Sequence, residues 1–329
     1  MNPNRRAAAK ALAGVAFASS VPHVRAQAQE YPSRPIRLVV GYPPGGANDI
    51  LARQVAPRLS EALGVSVVVD NRAGANGVIG SELVAKATPD GYTLLVAGLT
   101  PMVLNRLTYP KLSYNASTDF IGVSLLASSP IIFAVRPTLD VQSLGDLVRL
   151  AKSKPGGLNF ATVGTGGSTR VVLELLKQSA NIDIRHVPYK GAAPAITDLV
   201  ANTTDGMGVD FPALYPFVRE GKLRGVAITS EARNPLLPGL RTAAEQGMPE
   251  LTCGNWYALM APAKTPRPII DKLHVAVGKI AQIPELRQQM LASGSEPKVS
   301  ASPEEFGDYM NAELARWGRV VKAANIEAD

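Results

Sequence analysis

The sequence predicts an α/β fold made of two units in tandem, and three observations carry that expectation. Short β-branched apolar runs alternate with stretches whose apolar residues recur at helical spacing. The alternation runs once as far as Ala97 and starts again at Ile131. Each unit places one glycine-rich loop where a strand hands over to a helix. Length agrees, since 329 residues at roughly 100–200 per domain suit two domains.

The elements follow in order. Ile36-Arg37-Leu38-Val39-Val40 has the look of a buried parallel strand, broken by Gly41-Tyr42-Pro43-Pro44-Gly45-Gly46. From Asn48 onward Leu51, Val55, Leu59 and Leu63 form one apolar helical stripe, which Gly64 stops. Val65-Ser66-Val67-Val68-Val69 is the next strand. A turn spaced by Gly74, Gly77 and Gly80 opens a helix through Ile79, Leu83 and Ala87, and Tyr92 to Ala97 is a third strand. Ligands of such βαβαβ units sit where loops leave the carboxyl ends of strands.

The second unit starts with a strand from Ile131 to Val135. A helix then opens at Ser143, whose hydroxyl is answered by Asp146 three residues on. Leu158 to Val163 runs through Gly164-Thr165-Gly166-Gly167-Ser168 into a helix with Val171, Val172, Leu175 and Leu176. Asp183 to Val187 is a strand, Tyr189-Lys190-Gly191 a loop and Pro194 to Val200 a helix; Met207 to Phe211 and Leu223 to Thr229 are strands. Ser302-Pro303-Glu304-Glu305 combines an N-cap, proline at N1 and an acid at N3. Phe306, Met310, Trp317 and Val321 then line the buried side of a terminal helix.

Composition narrows the function. With 46% hydrophobic and 19% charged residues, a disordered chain is excluded. Aromatics at 5% argue against a base-stacking platform. The single cysteine, Cys253, forms no internal disulfide and is expected to be a buried free thiol. A formal charge of +7 invites a nucleic-acid or membrane partner. Yet residues 1–28 join a basic start (Arg5, Arg6, Lys10), a short apolar run and small residues at Ala26 and Ala28, which describes a cleavable secretory signal. Removing its four basic residues, with no acidic ones, lowers the charge from +7 to +3. The expectation is an exported protein that binds no nucleic acid, with cleavage after Ala26 or Ala28 and the export route open.

The two loops are the candidate site. A strand that passes through glycines into a helix aims free N–H groups and the positive end of the helix dipole at one point, which suits a carboxylate or phosphate. The first loop spans Tyr42 to Asp49 and the second Gly164 to Ser168. Facing each other they would hold a dicarboxylate; otherwise they are tight connections and nothing more.

Catalytic readings fail on detail. Gly167 is followed by Ser168-Thr169-Arg170 rather than the Lys-Ser/Thr of a P-loop. His186 and His274 alone remain after the signal, too few for a His/Cys metal site, and no Gly-x-Ser-x-Gly occurs. Lys190 is either a reactive amine or a solvated or anion-pairing loop residue. Asp210 either accepts a hydrogen bond from a ligand amine or hydroxyl, or caps the turn at Pro212.

Several motifs carry a resemblance over almost the whole chain after the signal. They are Tyr31-Pro32-Ser33-Arg34-Pro35-Ile36, Pro43-Pro44-Gly45-Gly46-Ala47-Asn48-Asp49, Ala52-Arg53 and Asp70-Asn71-Arg72-Ala73-Gly74-Ala75. Pro89-Asp90-Gly91-Tyr92, Tyr189-Lys190-Gly191 and Trp256-Tyr257 to Ala261-Pro262 complete the set. Together they resemble the Bug family, the periplasmic solute receptors of tripartite tricarboxylate transporters. The resemblance implies a two-domain periplasmic-binding-protein fold (Venus-flytrap, type II-like) with a ligand cleft between domains. Its expected division is residues 29–125 with 223–329 as domain 1 and 126–222 as domain 2, closing about strands near Leu125 and Val226.

The resemblance further implies that the chain captures a small mono-, di- or tricarboxylate for membrane permease subunits. No catalysis, cofactor or metal is expected, and the chain is expected to be monomeric. The implied ligand-binding residues are Tyr42, Gly46, Ala47, Asn48 and Asp49 in the first loop and Gly164, Gly166, Gly167 and Ser168 in the second. Leu99, Thr100, Tyr189, Lys190 and Asp210 would line the cleft. Arg170 stands where the family usually has histidine, and either faces the cleft as a bidentate acid-binding fork or faces out. Tyr42, Val163 and Gly167 also depart from the usual residues, and Ala201-Asn202-Thr203-Thr204-Asp205 lacks the usual glycine. Two other classes stay open: a receptor reporting to a sensor kinase, and an enzyme acting on a small organic acid.

Overall fold

The computed structural model describes residues 30–328, so the expected export signal lies outside the described residues. The first unit runs β1 (Ile36–Val40), α1 (Ala47–Leu63), β2 (Val67–Asn71), α2 (Val78–Ala85) and β3 (Thr93–Gly98). Helix α1 ends as expected, with Gly64 left-handed at φ 73° and its N–H bonded to the Ser60 carbonyl. After β3 comes a wide helical turn, Thr100–Leu104, that continues into α3 (Asn105–Thr108). Strand β4 (Phe120–Val135) opens the second unit, followed by α4 (Leu144–Ser153), β5 (Asn159–Val163), α5 (Ser168–Ala180) and β6 (Arg185–Tyr189). Then come α6 (Ala192–Val200), β7 (Gly206–Asp210), α7 (Phe211–Arg219) and β8 (Arg224–Ile228). The chain finishes with β9 (Gly254–Pro262), α8 (Arg267–Ile280), α9 (Pro284–Ala292), β10 (Glu296–Pro297) and α10 (Pro303–Ala324).

The strands pair in the order β2-β1-β3-β9-β4-β7-β5-β6, with β8 and β10 attached to β4. Strand β4 is the pivot of this two-lobed α/β architecture. Its first part, through Pro130, is antiparallel to β9 in the first lobe. From Ile131 it runs antiparallel to β7 and β8 in the second. Proline donates no ladder hydrogen bond, so Pro130 falls where β4 exchanges partners. The next N–H, of Ile131, is taken by the Thr229 hydroxyl at 2.9 Å. Gly254 faces Pro130, and a Cβ there would stand 2.8 Å from the Ser129 carbonyl oxygen.

This pairing differs from the expected division. Residues 126–129 stay with β9, Leu125 pairs with Ala258, and β8 lies in the second sheet rather than the first. Strand β4 is also far longer than the expected Ile131–Val135 strand; Gly122, Ser124, Ser128 and Ser129 interrupt its first half, which therefore shows neither a polar alternation nor an unbroken β-branched run. Strand β9 is not expected from the sequence either, since Gly254–Pro262 contains no β-branched residue.

Three buried clusters fill the lobes. Helix α10 is capped as expected, the Ser302 hydroxyl accepting from the Glu305 N–H. Its Glu313 is buried and accepts from the indoles of Trp256 and Trp317 at 3.3 and 3.0 Å. Cys253 is a free, buried thiol.

Close backbone contact sets the loop geometry above the first sheet. A Cβ on Gly80 would lie 2.7 Å from the Gly41 Cα, and one on Gly41 would lie 2.8 Å from the Gly77 Cα. Alanine at position 80 would gain about 1 kcal/mol in helix propensity, but overpacking typically costs about 1–3 kcal/mol. Gly80→Ala is therefore expected to lower stability in urea unfolding despite its better helical preference.

Candidate functional site

Helices α1, α5 and α6 all begin at one cavity of about 50 Å³ between the lobes. Gly46, Ala47 and Asn48 come from the start of α1, Ser168 and Thr169 from α5, and Ala192 from α6. Unlike α4 and α10, capped by Ser143 and Ser302, these three have no side-chain cap. With no side-chain bond from any of the three N-cap residues, the positive dipole ends converge on the cavity.

The rest of the wall comes from both sheets. Leu99 and Thr100 follow β3, Val209 and Asp210 end β7, and Asn255, Trp256 and Tyr257 lie on β9. Asn255 organises it, its amide donating to Ser168 Oγ at 3.1 Å and to the Asp210 carboxylate. The Ser168 N–H in turn donates to Thr100 Oγ1 at 3.1 Å, joining the lobes. Three buried atoms on this wall, Asn48 Oδ1, Asn255 Oδ1 and the Tyr257 hydroxyl, have no partner within the protein. Such an atom costs about 1–3 kcal/mol when unsatisfied, so the cavity is built for a polar occupant.

Of the residues expected to bind, Tyr42, Gly46, Ala47, Asn48, Leu99, Thr100, Ser168 and Asp210 line this cavity. Asp49 does not. Its carboxylate is spent on the Gly45 N–H at 3.0 Å, Asn71 at 2.9 Å and Arg53 at 3.0 Å, folding the first loop back on its helix. Burial works against that charge, but these partners prevail and hold its carboxyl below the usual range.

Gly164 and Gly166 also fall outside the cavity, because side chains of the first lobe occupy the space where their Cβ atoms would be. A Cβ on Gly164 would sit 1.8 Å from Asn76 Oδ1, and one on Gly166 2.6 Å from Thr108 Oγ1. Gly167 is the N-cap of α5, beside the cavity rather than in its wall. Arg170 is neither a cleft fork nor a solvated residue: it is largely buried and pairs at 2.9 Å with Glu174, one turn along its own helix. Tyr189, bonded to Asp198 at 2.7 Å, and the exposed Lys190 line a separate outer pocket.

Sequence reasoning missed Asn76, Thr169, Ala192 and Asn255 as wall residues. Asn255 and Asn76 are isolated polar residues whose meaning depends on a partner far away in the chain. Trp256 and Tyr257 belong to a motif quoted for the resemblance, but nothing local assigns them to a wall.

Asp210 is the sole charged residue among the cavity's lining residues. It occupies the N-cap position of α7, yet its side chain makes no cap hydrogen bond, so the capping alternative is not realised. Burial pushes its carboxyl above the usual range, and the Asn255 bond offsets this only in part.

Comparison with known proteins decides the family. The family model described as "Tripartite tricarboxylate transporter family receptor" matches residues 51–326. The chain belongs to that family. It is 34% identical to the protein BugT of Bordetella pertussis over 95% of this chain and 96% of the relative. Among solved structures it resembles an adipate-bound protein from R. palustris (35% identity, TM-score 0.87, covering 90% of this chain and 99% of that one). It also resembles MatC from Rhodopseudomonas palustris with bound malate (31% identity, TM-score 0.83, covering 88% and 100%). The receptor's two-lobed α/β fold matches these neighbours.

A carboxyl whose folded-state pKa is raised adds stability that is complete below its unfolded pKa and is lost as pH rises through the folded value. Ionised Asp210 therefore works against folding at neutral pH. Asp210→Asn is expected to stabilise the ligand-free receptor near pH 7, with the gain shrinking as pH falls toward about 4. Urea unfolding of both proteins across that range measures the difference, in which the opposite contribution of Asp49 cancels.

Proposed function

We propose that this receptor captures a small carboxylate in the cavity between its lobes and delivers it to the membrane permease subunits of a tripartite tricarboxylate transporter. The observation that carries the reading is the convergence of three uncapped helix N-termini on a wall that lacks lysine, arginine and histidine. A carboxylate is held there by backbone N–H groups and small polar side chains. The adipate and malate carried by the similar structures support the same ligand class.

The receptor acts in the periplasm as a monomer and leaves its ligand unchanged. Ser168, one of the hydroxyls in the cavity wall, is served by the amide of Asn255, which cannot take up its proton. The domains are discontinuous in sequence, and closure pivots where β4 changes sheets at Pro130 and where residues 229–253 return to the first lobe. Asp210 accepts a hydrogen bond from a hydroxyl or amine of the ligand.

A thermal-shift screen of mono-, di- and tricarboxylates tests this reading. A true ligand at 100 times its Kd adds about 2.7 kcal/mol of stability. Stabilisation by sugars or nucleotides, with no response to any acid, would sink it. Gly46 has φ −82° and open space around a built Cβ, with only the Pro43 carbonyl oxygen at 3.9 Å. Gly46→Leu is therefore expected to keep the ligand-free melting temperature within a few degrees while weakening carboxylate binding at least 100-fold by calorimetry.

A further inference from the structure

We propose that Asn76 is a partition that limits how long a ligand the receptor accepts, and that Lys190 stands ready beyond it for a second acid group. This rests on the carboxylate reading of the inner cavity. Asn76 lies in the loop between β2 and α2 with φ 53° and ψ 37°, a left-handed conformation for which glycine is the default residue. The side chain is nonetheless present, and it is buried. It reaches across the cleft to the second lobe, where its amide rests on the Cα of Gly164; a Cβ there would stand 1.8 Å from Oδ1 and 2.5 Å from Nδ2.

Other bonds hold it in place. Nδ2 donates to the Tyr109 hydroxyl at 3.2 Å, while its backbone carbonyl accepts from the Tyr42 hydroxyl and from Asn105 Nδ2, each at 3.1 Å. Asn76, Tyr42 and Val163 are the residues common to the inner cavity and to an outer pocket of about 520 Å³. The outer pocket is lined further by Tyr109, Thr165, Tyr189 and Lys190. Its one cation, Lys190, lines this outer pocket and not the inner cavity. In the proposal a short acid stays within the inner cavity. A longer chain must displace the Asn76 amide before its distal carboxylate can reach the ammonium group of Lys190.

Asn76→Gly removes the side chain and leaves a residue at ease with φ 53°. Calorimetric titration of wild type and variant with the unbranched dicarboxylates from malonate to pimelate reads the effect. Wild type should bind malonate or succinate at least tenfold more tightly than adipate. In Asn76→Gly that ratio should shift at least tenfold toward adipate and pimelate, and Asn76→Ala should fall between. Adding Lys190→Met to Asn76→Gly should remove the long-chain gain. If Asn76 served only to latch the lobes, its loss would weaken every acid by the same factor. A length profile that is unchanged to within twofold would therefore overturn the proposal. A long-chain gain that survives Lys190→Met would overturn the role given to that lysine. If no dicarboxylate binds wild type or variant although another acid does, the partition fails alone; if no mono-, di- or tricarboxylate binds while other solutes do, the carboxylate reading fails and takes the partition with it.

Discussion

Strand β4 is shared by both sheets, and its change of partner at Pro130 is the constraint on which the rest of the molecule hangs. With one continuous backbone serving both lobes, residues at the carboxyl ends of β3 in the first sheet and of β5 and β7 in the second line one cavity. Asp210 is paired with Ile131 at the crossover itself, and Asn255 lies one residue beyond the glycine opposite Pro130. Their contact is thus a consequence of how the strand is shared. The same crossover brings the first lobe's Thr100 to the start of α5 in the second.

Around that pivot, glycine works in two distinct ways. In the first loop Gly46 leaves the start of α1 open to the cavity. In the second, Gly164 and Gly166 receive side chains of the opposite lobe, as Gly191 receives Pro43. Both uses follow from the missing Cβ, and a sequence pattern does not separate them. Anion attraction is likewise a matter of direction more than of net charge. Arg53 and Arg170 are neutralised by Asp49 and Glu174, so what faces the cavity is the dipole ends of three helices and one buried acid.

Much of the architecture was legible because local rules decide it. Gly64 ends α1, and Ser143 and Ser302 start α4 and α10, since each cap needs only residues a few positions away. Both glycine loops were placed at strand-to-helix junctions for the same reason. The first half of β4 and all of β9 escape a sequence reading because small and polar residues interrupt the one and the other has no β-branched residue, so neither shows a strand pattern. Of the residues expected at the site, those next to α1, β3 and β7 line the cavity, whereas Asp49, Arg170 and Gly164 are engaged within the protein, which no local pattern reveals.

The amino-acid sequence settled the alternating elements, the helix ends and the two loops able to meet an anion, because these depend on neighbours along the chain. It also carried the family resemblance, through motifs spread over its length. Only the folded chain decided which of those groups share a cavity. A hydrogen bond such as Asn255 to Asp210, or the seating of Asn76 on Gly164, joins residues 45 and 88 positions apart. No local preference encodes such a contact; the crossing of β4 between the sheets creates it.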